Sequence, residues 1–409
     1  MKTIRIGLMT DTFLPVVDGV GRVVVAYANT LPKFGHEVTV SAPMYDTGHR
    51  GNYPFELVDF TGFSVPTTPQ YRTGAAVMDA HYVKRMDMID LDIVHSHSPF
   101  GAGKEALRLK RQRHIPLVST FHSKYYDDFL KVTKSEAIAK TVVGSIVKYY
   151  EKCDDVWAVS RSSAEVLREY GFQGHIEVIG NGTEFRPKDH EAVVEVSRKF
   201  GLNEDPVLLF VGQINWKKNI LRILEACSIL KSQNPRFQLV LAGQGPDTDK
   251  IIKKAQELGI SEQLVMTGMI RDTRTLDALY LRADLFVFPS LYDTFSLVIR
   301  EAAAMGTPSV AIAGSAAAES ITDRVNGFLC EDTSQSLADV LIFSVNNREL
   351  LKKLGEEAYR SIPVPWETVL QTAVKRYEHV ISQHQGKPGA SHLRYKRMRA
   401  RTNDQRNPF

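Results

Sequence analysis

Short apolar runs alternate along the chain with stretches of helical period. The run 207–211, Val-Leu-Leu-Phe-Val, has no polar face at all, which is the habit of a strand buried on both sides in a parallel sheet. By the same criterion strands are predicted at 4–10, at the segment ending near 98, and at 38–42, 116–120, 156–159, 238–242, 265–270, 285–288 and 310–313. Between them, apolar residues recur at three- and four-residue spacing over 23–34, 101–113, 134–152, 220–232 and 366–384, which predicts helices with one buried stripe. Strand and helix alternate in both halves and no solenoid-length repeat interrupts them, so the expected fold class is α/β, with doubly wound Rossmann-like domains. With 409 residues the chain is too long for one core and suits two, at 1–182 and 183–365, followed by a last amphipathic helix at 366–384 and a tail at 385–409. Residues 47–75 mix Gly, Pro, Thr and aromatics with little period and are expected to form a long irregular connection.

In a doubly wound sheet the chemistry collects where strands end and helices begin. The stretch 285–313 gives such an edge: a strand, a loop broken by Pro289-Ser290, a helix whose Ala-rich body ends at Gly306 before Pro308, and a second strand. Ser296 stands where a helix cap belongs. The free amides and positive dipole end that follow Thr294, Phe295, Ser296 and Leu297 suit an anion such as a phosphate. Asp293 before the helix and Glu301 inside it add two carboxylate acceptors, as a polyol requires; an Asx turn and a solvated helix residue are the plain alternatives.

Other strand ends repeat the pattern. Gly19 and Gly21 precede the helix predicted from 23 and let backbone amides approach a ligand, unless they only make a tight turn. The loop Gly212-Gln213-Ile214-Asn215-Trp216-Lys217-Lys218-Asn219 sets amides and lysines at the end of 207–211. Gly268 closes a further strand, and His122 follows the strand at 116–120 as a hydrogen-bonding group or as an ordinary buried histidine. His95 and His97 would share one strand face with no third ligand in view, so a metal site is not expected. Asp247 and Asp249 are read as helix-capping residues rather than a metal–diphosphate site. The helix at 134–152, with Ala137, Ile138, Val142, Ile146, Tyr149 and Tyr150 among lysines, either packs on a sheet or lies on a membrane surface.

Taken together, Asp293, Phe295, Leu297, Glu301, Ala302, Gly306 and Pro308 resemble the signature of retaining glycosyltransferases of the GT-B fold, family four, with Asp293 standing where the family has Glu. The loop at 212–219 resembles the family's cationic loop, with Lys218 on the family Lys and Gln213 in place of its Arg. The segments at 7–22, 93–129 and 319–327 are similar as well, and Thr-Phe-His-Ser around His122 resembles the diacylglycerol glucosyltransferase and phosphatidylinositol mannosyltransferase type. The resemblance implies two Rossmann-like domains facing a central cleft, acceptor side first and nucleotide-sugar side second, with the last helix returning to the first domain. It implies transfer of a hexose, UDP-glucose being the expected donor, to a hydroxyl acceptor with retention. It assigns His122 and Asp293 to the sugar, and Gly19, Gln213, Lys218, Gly268, Thr294, Phe295, Ser296, Leu297 and Glu301 to donor binding. No cofactor or metal is implied. A diacylglycerol-like membrane lipid is the expected acceptor; a soluble sugar or sugar phosphate, or a binding homologue impaired by Asp293 and Gln213, are the alternatives.

Composition bears on partners. The net charge of +4 is misplaced as an average: residues 385–409 hold seven cations against Asp404 alone, +6, which leaves −2 for the rest. That tail reads as a solvated, disordered extension, with a tether to anionic lipid or nucleic acid as the alternative, and no specific nucleic-acid partner is expected. Cys153, Cys227 and Cys330 lack disulfide or zinc spacing. No signal peptide or membrane span is legible, so a cytoplasmic protein, peripheral at the membrane's inner face if the acceptor is a lipid, is expected.

Overall fold

The computed structural model describes residues 2–15, 18–45, 52–65 and 68–385. The chain separates into one unit of Met1–Gly180 with Trp366–Phe409 and a second of Asn181–Pro365.

In the first unit the strands are β1 (Arg5–Met9), β2 (Glu37–Pro43), β3 (Glu56–Phe60), β4 (Phe63–Val65), β5 (Thr68–Thr73), β6 (Ile93–Ser96), β7 (Leu117–Phe121), β8 (Asp155–Ala158) and β9 (Glu177–Val178). Among the described residues seven of them form one sheet in the order β3-β2-β1-β6-β7-β8-β9, with every pair parallel, while β4 and β5 make a separate antiparallel ribbon. Strand order reverses beside β1, between β2 and β6, and the crevice at such a switch point is where this architecture takes ligands. The helices are α1 (Gly19–Thr30), α2 (Ala80–Met88), α3 (Gly101–Arg113), α4 (Tyr125–Thr133), α5 (Glu136–Tyr150) and α6 (Arg161–Glu169).

The second unit repeats the plan. Helices α7 (His190–Phe200), α8 (Ile220–Gln233), α9 (Thr248–Glu257), α10 (Thr273–Arg282), α11 (Leu297–Met305), α12 (Ser334–Asn346) and α13 (Arg348–Ser361) cover a sheet of β10 (Val207–Val211), β11 (Gln238–Ala242), β12 (Leu264–Gly268), β13 (Leu285–Val287), β14 (Ser309–Ile312) and β15 (Gly327–Cys330). The order is β12-β11-β10-β13-β14-β15, all parallel, so the switch point lies between β10 and β13. Val207, Leu208, Leu209, Phe210 and Val211 are all buried, as a run without a polar face requires.

The last helix, α14 (Trp366–Gln385), belongs to the first unit. Leu370, Ala373, Val374, Tyr377 and Val380 join Val23, Val24, Tyr27 and Trp157 in one core cluster. Its polar side is fastened too: Arg376 forks onto Asp155 with two hydrogen bonds of 2.7 Å, a planar match between guanidinium and carboxylate.

Several expectations need correction. Residues 47–75 contain β3, β4 and β5, so the expected irregular connection holds three strands among its described residues. Strand β3 escapes notice because it sits at the sheet edge, where only Val58 and Phe60 are buried and the apolar run is short. Gly19 and Gly21 lie inside α1 rather than ahead of it: Asp18 is the cap, its Oδ1 accepting from Gly21 N at 2.8 Å. On α5 the buried stripe is Ala139, Val143, Ile146, Val147, Tyr149 and Tyr150, whereas Ile138 is exposed. The basic tail lies outside the described residues.

Candidate functional site

In the second unit the site grows from the loops after β10 and β13. Asn215 caps a short turn at Trp216–Lys218, its Oδ1 accepting from Lys218 N, and Asn219 follows in the left-handed region at φ 59°. Asn219 then ties this loop to the next by donating from Nδ2 to the Pro289 carbonyl at 3.1 Å. So placed, Lys218 reaches across: its Nζ lies 2.9 and 2.8 Å from the two carboxylate oxygens of Asp293, and Ser290 Oγ donates to the same carboxylate at 2.5 Å. Tyr292 closes over the pair, with Lys217 Nζ 4.3 Å from its ring centroid. Lys218 and Asp293 were expected at one site; the structure joins them in a direct ion pair.

Helix α11 begins just beyond. Ser296 occupies the cap position, but its φ is 55°, its hydroxyl makes no capping bond, and its Oγ is buried without a partner among the described residues, contrary to the expected side-chain cap. The turn is held from inside the helix: the Arg300 guanidinium stacks 3.6 Å from the Phe295 ring centroid and donates to the Phe295 carbonyl at 2.6 Å. Phe295 is itself buried, whereas Thr294 and Leu297 are half-buried. Glu301 is not a solvated helix residue. It is 8% exposed, and its Oε2 accepts from the Tyr280 hydroxyl at 3.1 Å. Tyr280 rides on α10, which Arg186 secures by forking onto Asp277 at 2.5 and 2.9 Å.

Glycines set how closely the neighbouring loops approach. A Cβ on Gly243 would stand 1.9 Å from the Gly212 carbonyl oxygen, and one on Gly245 would stand 2.1 Å from that of Ile214. Gly212 N donates to Ala242 O and Gly243 N to Gly268 O, so three glycines line the ends of β10, β11 and β12. Gly268 itself has φ 70° and open space beside its Cα. Gln213 is exposed, with its Oε1 taken by Asn215 Nδ2 at 2.7 Å. Asp247 stands at the start of α9 but does not cap it; its carboxylate accepts from Trp216 N and so braces the Lys218 loop instead.

The first unit carries a second set at its own switch point. Asp18 receives Thr12 Oγ1 at 2.9 Å as well as Gly21 N, which fixes the loop before Gly19. A methyl group on Gly19 would meet open space, so no packing demands glycine there. Next to it in the fold, Asp11 accepts from Ala102 N at the start of α3 and from the Ser98 hydroxyl; burial pushes its carboxyl up from the usual range. His122 follows β7 and His97 follows β6, and their rings stack 5.3 Å apart. His95 does not face a metal: its two nitrogens bond the Tyr377 hydroxyl at 2.6 Å and Thr120 Oγ1 at 2.7 Å. Burial depresses all three histidines, His122 to about 3, so each is neutral near pH 7.

Sequence reasoning missed Ser290, Tyr280, Asp18 and His97 as parts of these sets. Ser290 and Asp18 had a signal, being small polar residues three positions from a partner; Tyr280 and His97 had none, because only the packing of α10 and β6 brings them to Glu301 and His122.

The class follows from sheets, switch points and motif together. Residues 17–185 match the family Glycosyltransferase Family 4, and residues 194–361 match Glycosyl transferases group 1. With these two domains in tandem, the chain belongs to the GT-B glycosyltransferases. Among curated proteins it is 28% identical over 373 residues to the alpha-monoglucosyldiacylglycerol synthase of Streptococcus pneumoniae, covering 86% of this chain and 82% of that one. It is 25% identical over 411 residues to a GDP-mannose-dependent alpha-mannosyltransferase of Corynebacterium glutamicum, covering 95% and 92%. Among solved structures, HepE of Anabaena in complex with UDP shares the fold at a TM-score of 0.73 with 17% identity, over 92% of this chain and all of that one.

Proposed function

We propose that the chain transfers a hexose from a nucleoside-diphosphate sugar, UDP-glucose foremost, to an acceptor hydroxyl with retention at the anomeric carbon, and that the acceptor is a diacylglycerol-like lipid. The donor assignment rests on one observation: Lys218 in the loop after β10, and the amides opening α11 with the Ser296 hydroxyl, buried without a partner among the described residues, all stand at strand ends flanking the switch point of the second unit. A cation, free amides and a spare hydroxyl are the groups that hold a diphosphate.

In this reading Glu301, oriented by Tyr280, takes the ribose hydroxyls, the backbone at Gly268 faces the base, and Asp293 takes sugar hydroxyls; His122, at the switch point of the first unit, is proposed to meet substrate hydroxyls from that unit. As the bond from C1 to the phosphate oxygen breaks, Lys218 and the α11 amides receive the developing charge. The acceptor oxygen bonds C1 from the same face, and its proton passes to the departing phosphate oxygen. Lys218 and the amides do the work a metal would otherwise do, so turnover is expected to survive chelation.

Two features support a lipid acceptor. The first unit exposes Phe63, Val77 and Met78 on and just after its β4–β5 ribbon, Met78 at 86%, and also Val132 and Ile138 among Lys131, Lys134 and Lys140. Exposed apolar side chains of this kind, the last two set among lysines, suit contact with a membrane surface. No described helix is long and apolar enough to cross a membrane, so contact at the surface is the mode proposed. The Streptococcus relative's name points the same way, while the Corynebacterium relative keeps GDP-mannose as the competing donor.

The test pairs UDP-glucose, UDP-galactose and GDP-mannose with diacylglycerol vesicles, soluble sugars and sugar phosphates, with and without EDTA. Glucosyl lipid from UDP-glucose is expected. Product from soluble acceptors alone overturns the lipid assignment, and UDP-sugar binding without turnover overturns transfer.

A further inference from the structure

Helix α11 starts differently from α5 and α6, which are also entered through a serine. Ser135 and Ser160 are extended, at φ −132° and −158°, and each hydroxyl accepts from the amide three residues on, at 3.4 and 3.0 Å. Ser296 holds the same cap position at φ 55° and ψ 68°, and its buried hydroxyl bonds nothing among the described residues. It therefore gives up a capping bond and takes a left-handed backbone that L-residues avoid. Such a conformation persists only where the surroundings impose it.

Arg300 is placed to impose it. Its guanidinium lies 3.6 Å from the Phe295 ring centroid, and Nη1 donates to the Phe295 carbonyl at 2.6 Å. In a trans peptide the carbonyl and the N–H point opposite ways, so holding the Phe295 oxygen toward Arg300 turns the Ser296 N–H to the other side. That N–H finds no acceptor among the described residues. A cation here does nothing for the helix itself, since it opposes the positive end of the dipole and the first turn carries no acid to balance it. Burial brings the guanidinium down only to about 10, so it stays charged near neutral pH. We infer that Arg300 is a positioning residue: by holding the Phe295 carbonyl it keeps Ser296 from closing into an ordinary cap, and the Ser296 N–H and hydroxyl stay open to an anion at the start of α11. The choice between the two Ser296 conformations rests on geometry within the second unit; its effect on affinity rests on the donor diphosphate binding at α11.

Crystals of the full chain carrying Arg300→Met, grown without nucleotide, read the conformation directly. Ser296 is expected to relax to an extended backbone with its hydroxyl accepting from the Val298 or Ile299 N–H. A left-handed Ser296 in that variant overturns the inference. Arg300→Leu, which equally lacks the donor, takes its place if Arg300→Met does not fold, and an extended, capping Ser296 in ligand-free crystals of the parent overturns the inference with no variant at all. Titration calorimetry with UDP reads the consequence: the Kd of Arg300→Met is expected to rise roughly 5- to 30-fold, the population a left-handed residue loses on relaxing. In a Ser296→Gly background, where the left-handed backbone carries no such penalty, adding Arg300→Met is expected to raise Kd by less than about 2-fold. Equal losses in the two backgrounds make Arg300 a direct contact of the phosphates and overturn the positioning role. A relaxed Ser296 with an unmoved Kd upholds the clamp and overturns instead the placement of the donor at α11.

Discussion

The ion pair between Lys218 and Asp293 makes a prediction of opposite signs. Both side chains are largely covered, at 16% and 20% exposure, and the ammonium touches both carboxylate oxygens. A diphosphate arriving at Lys218 must therefore compete with Asp293. Removing the lysine deletes a charge-assisted bond of ~1.5–3 kcal/mol and leaves the carboxylate facing the phosphates, so Lys218→Ala should raise the Kd for UDP roughly 10- to 150-fold. Removing the charge of the aspartate does the reverse. A pair at this exposure lies between an exposed one, worth ~0.2–1 kcal/mol, and a buried one whose disruption costs ~3–5 kcal/mol. Taking ~1–1.4 kcal/mol as the part returned when Asp293→Asn frees Lys218, the UDP Kd should fall roughly 5- to 10-fold. Transfer should nonetheless slow by about tenfold or more, since a sugar contact made in the transition state is lost. Titration calorimetry with UDP, alongside transfer from the UDP-sugar, separates the effects. If Asp293→Asn weakens UDP binding as Lys218→Ala does, the two residues do not compete and the donor site has been misplaced.

Three further perturbations test neighbouring links. Tyr280→Phe removes only the hydroxyl on Glu301; with a charged acceptor the loss is ~1.5–3 kcal/mol, expected as a raised donor KM with kcat little changed, and the penalty should shrink for a 2′-deoxyribose donor. Gly243→Ala drives a methyl into the Gly212 carbonyl at 1.9 Å, so unfolding of the second unit in denaturant should shift by about 3 kcal/mol or prevent folding altogether; a shift under about 0.5 kcal/mol contradicts the backbone contact. For pH, His122 is held near 3 by burial against about 6.5 when unfolded. A depressed pKa gives stability that is whole above about 6.5 and drains as pH falls toward the folded value, about 1.4 kcal/mol per pH unit, or about 2 kcal/mol at pH 5. Denaturant unfolding of the first unit should therefore weaken from pH 7 to 5 by that much more in the parent than in His122→Gln; equal slopes refute it. Asp11, whose carboxyl is pushed up, acts with the opposite slope and cancels in the comparison.

Much of the fold was legible because a parallel sheet leaves a strong mark. Strands covered on both faces are mostly apolar, which is why β10 and β11 read directly from unbroken apolar runs and β1 and β7 from nearly apolar ones, the buried Ser119 and Thr120 of β7 being the exceptions. The end of α11 was legible at Gly306, which takes the left-handed conformation that a helix stop before Pro308 calls for. Where the environment is half-wet or the conformation unusual, the mark faded. The β3 edge and the β4–β5 ribbon lack a continuous apolar face, and Ser296 looks like any N-cap until its left-handed backbone shows that it cannot act as one.

The pattern around Pro289, Ser296, Gly306 and Pro308 was enough to place a helix start at a strand's end, because those residue types act through neighbours a turn away. Which charges meet was a different matter. The Lys218–Asp293 pair spans 75 residues, and His97 meets His122 across 25. Neither pairing follows from local pattern, since each depends on parallel strands laying their ends side by side. Sequence alone determined the kinds of group at each strand end; the order of strands in the two sheets decided which of them touch, and burial decided that Glu301 is held by a tyrosine and that three histidines stay uncharged.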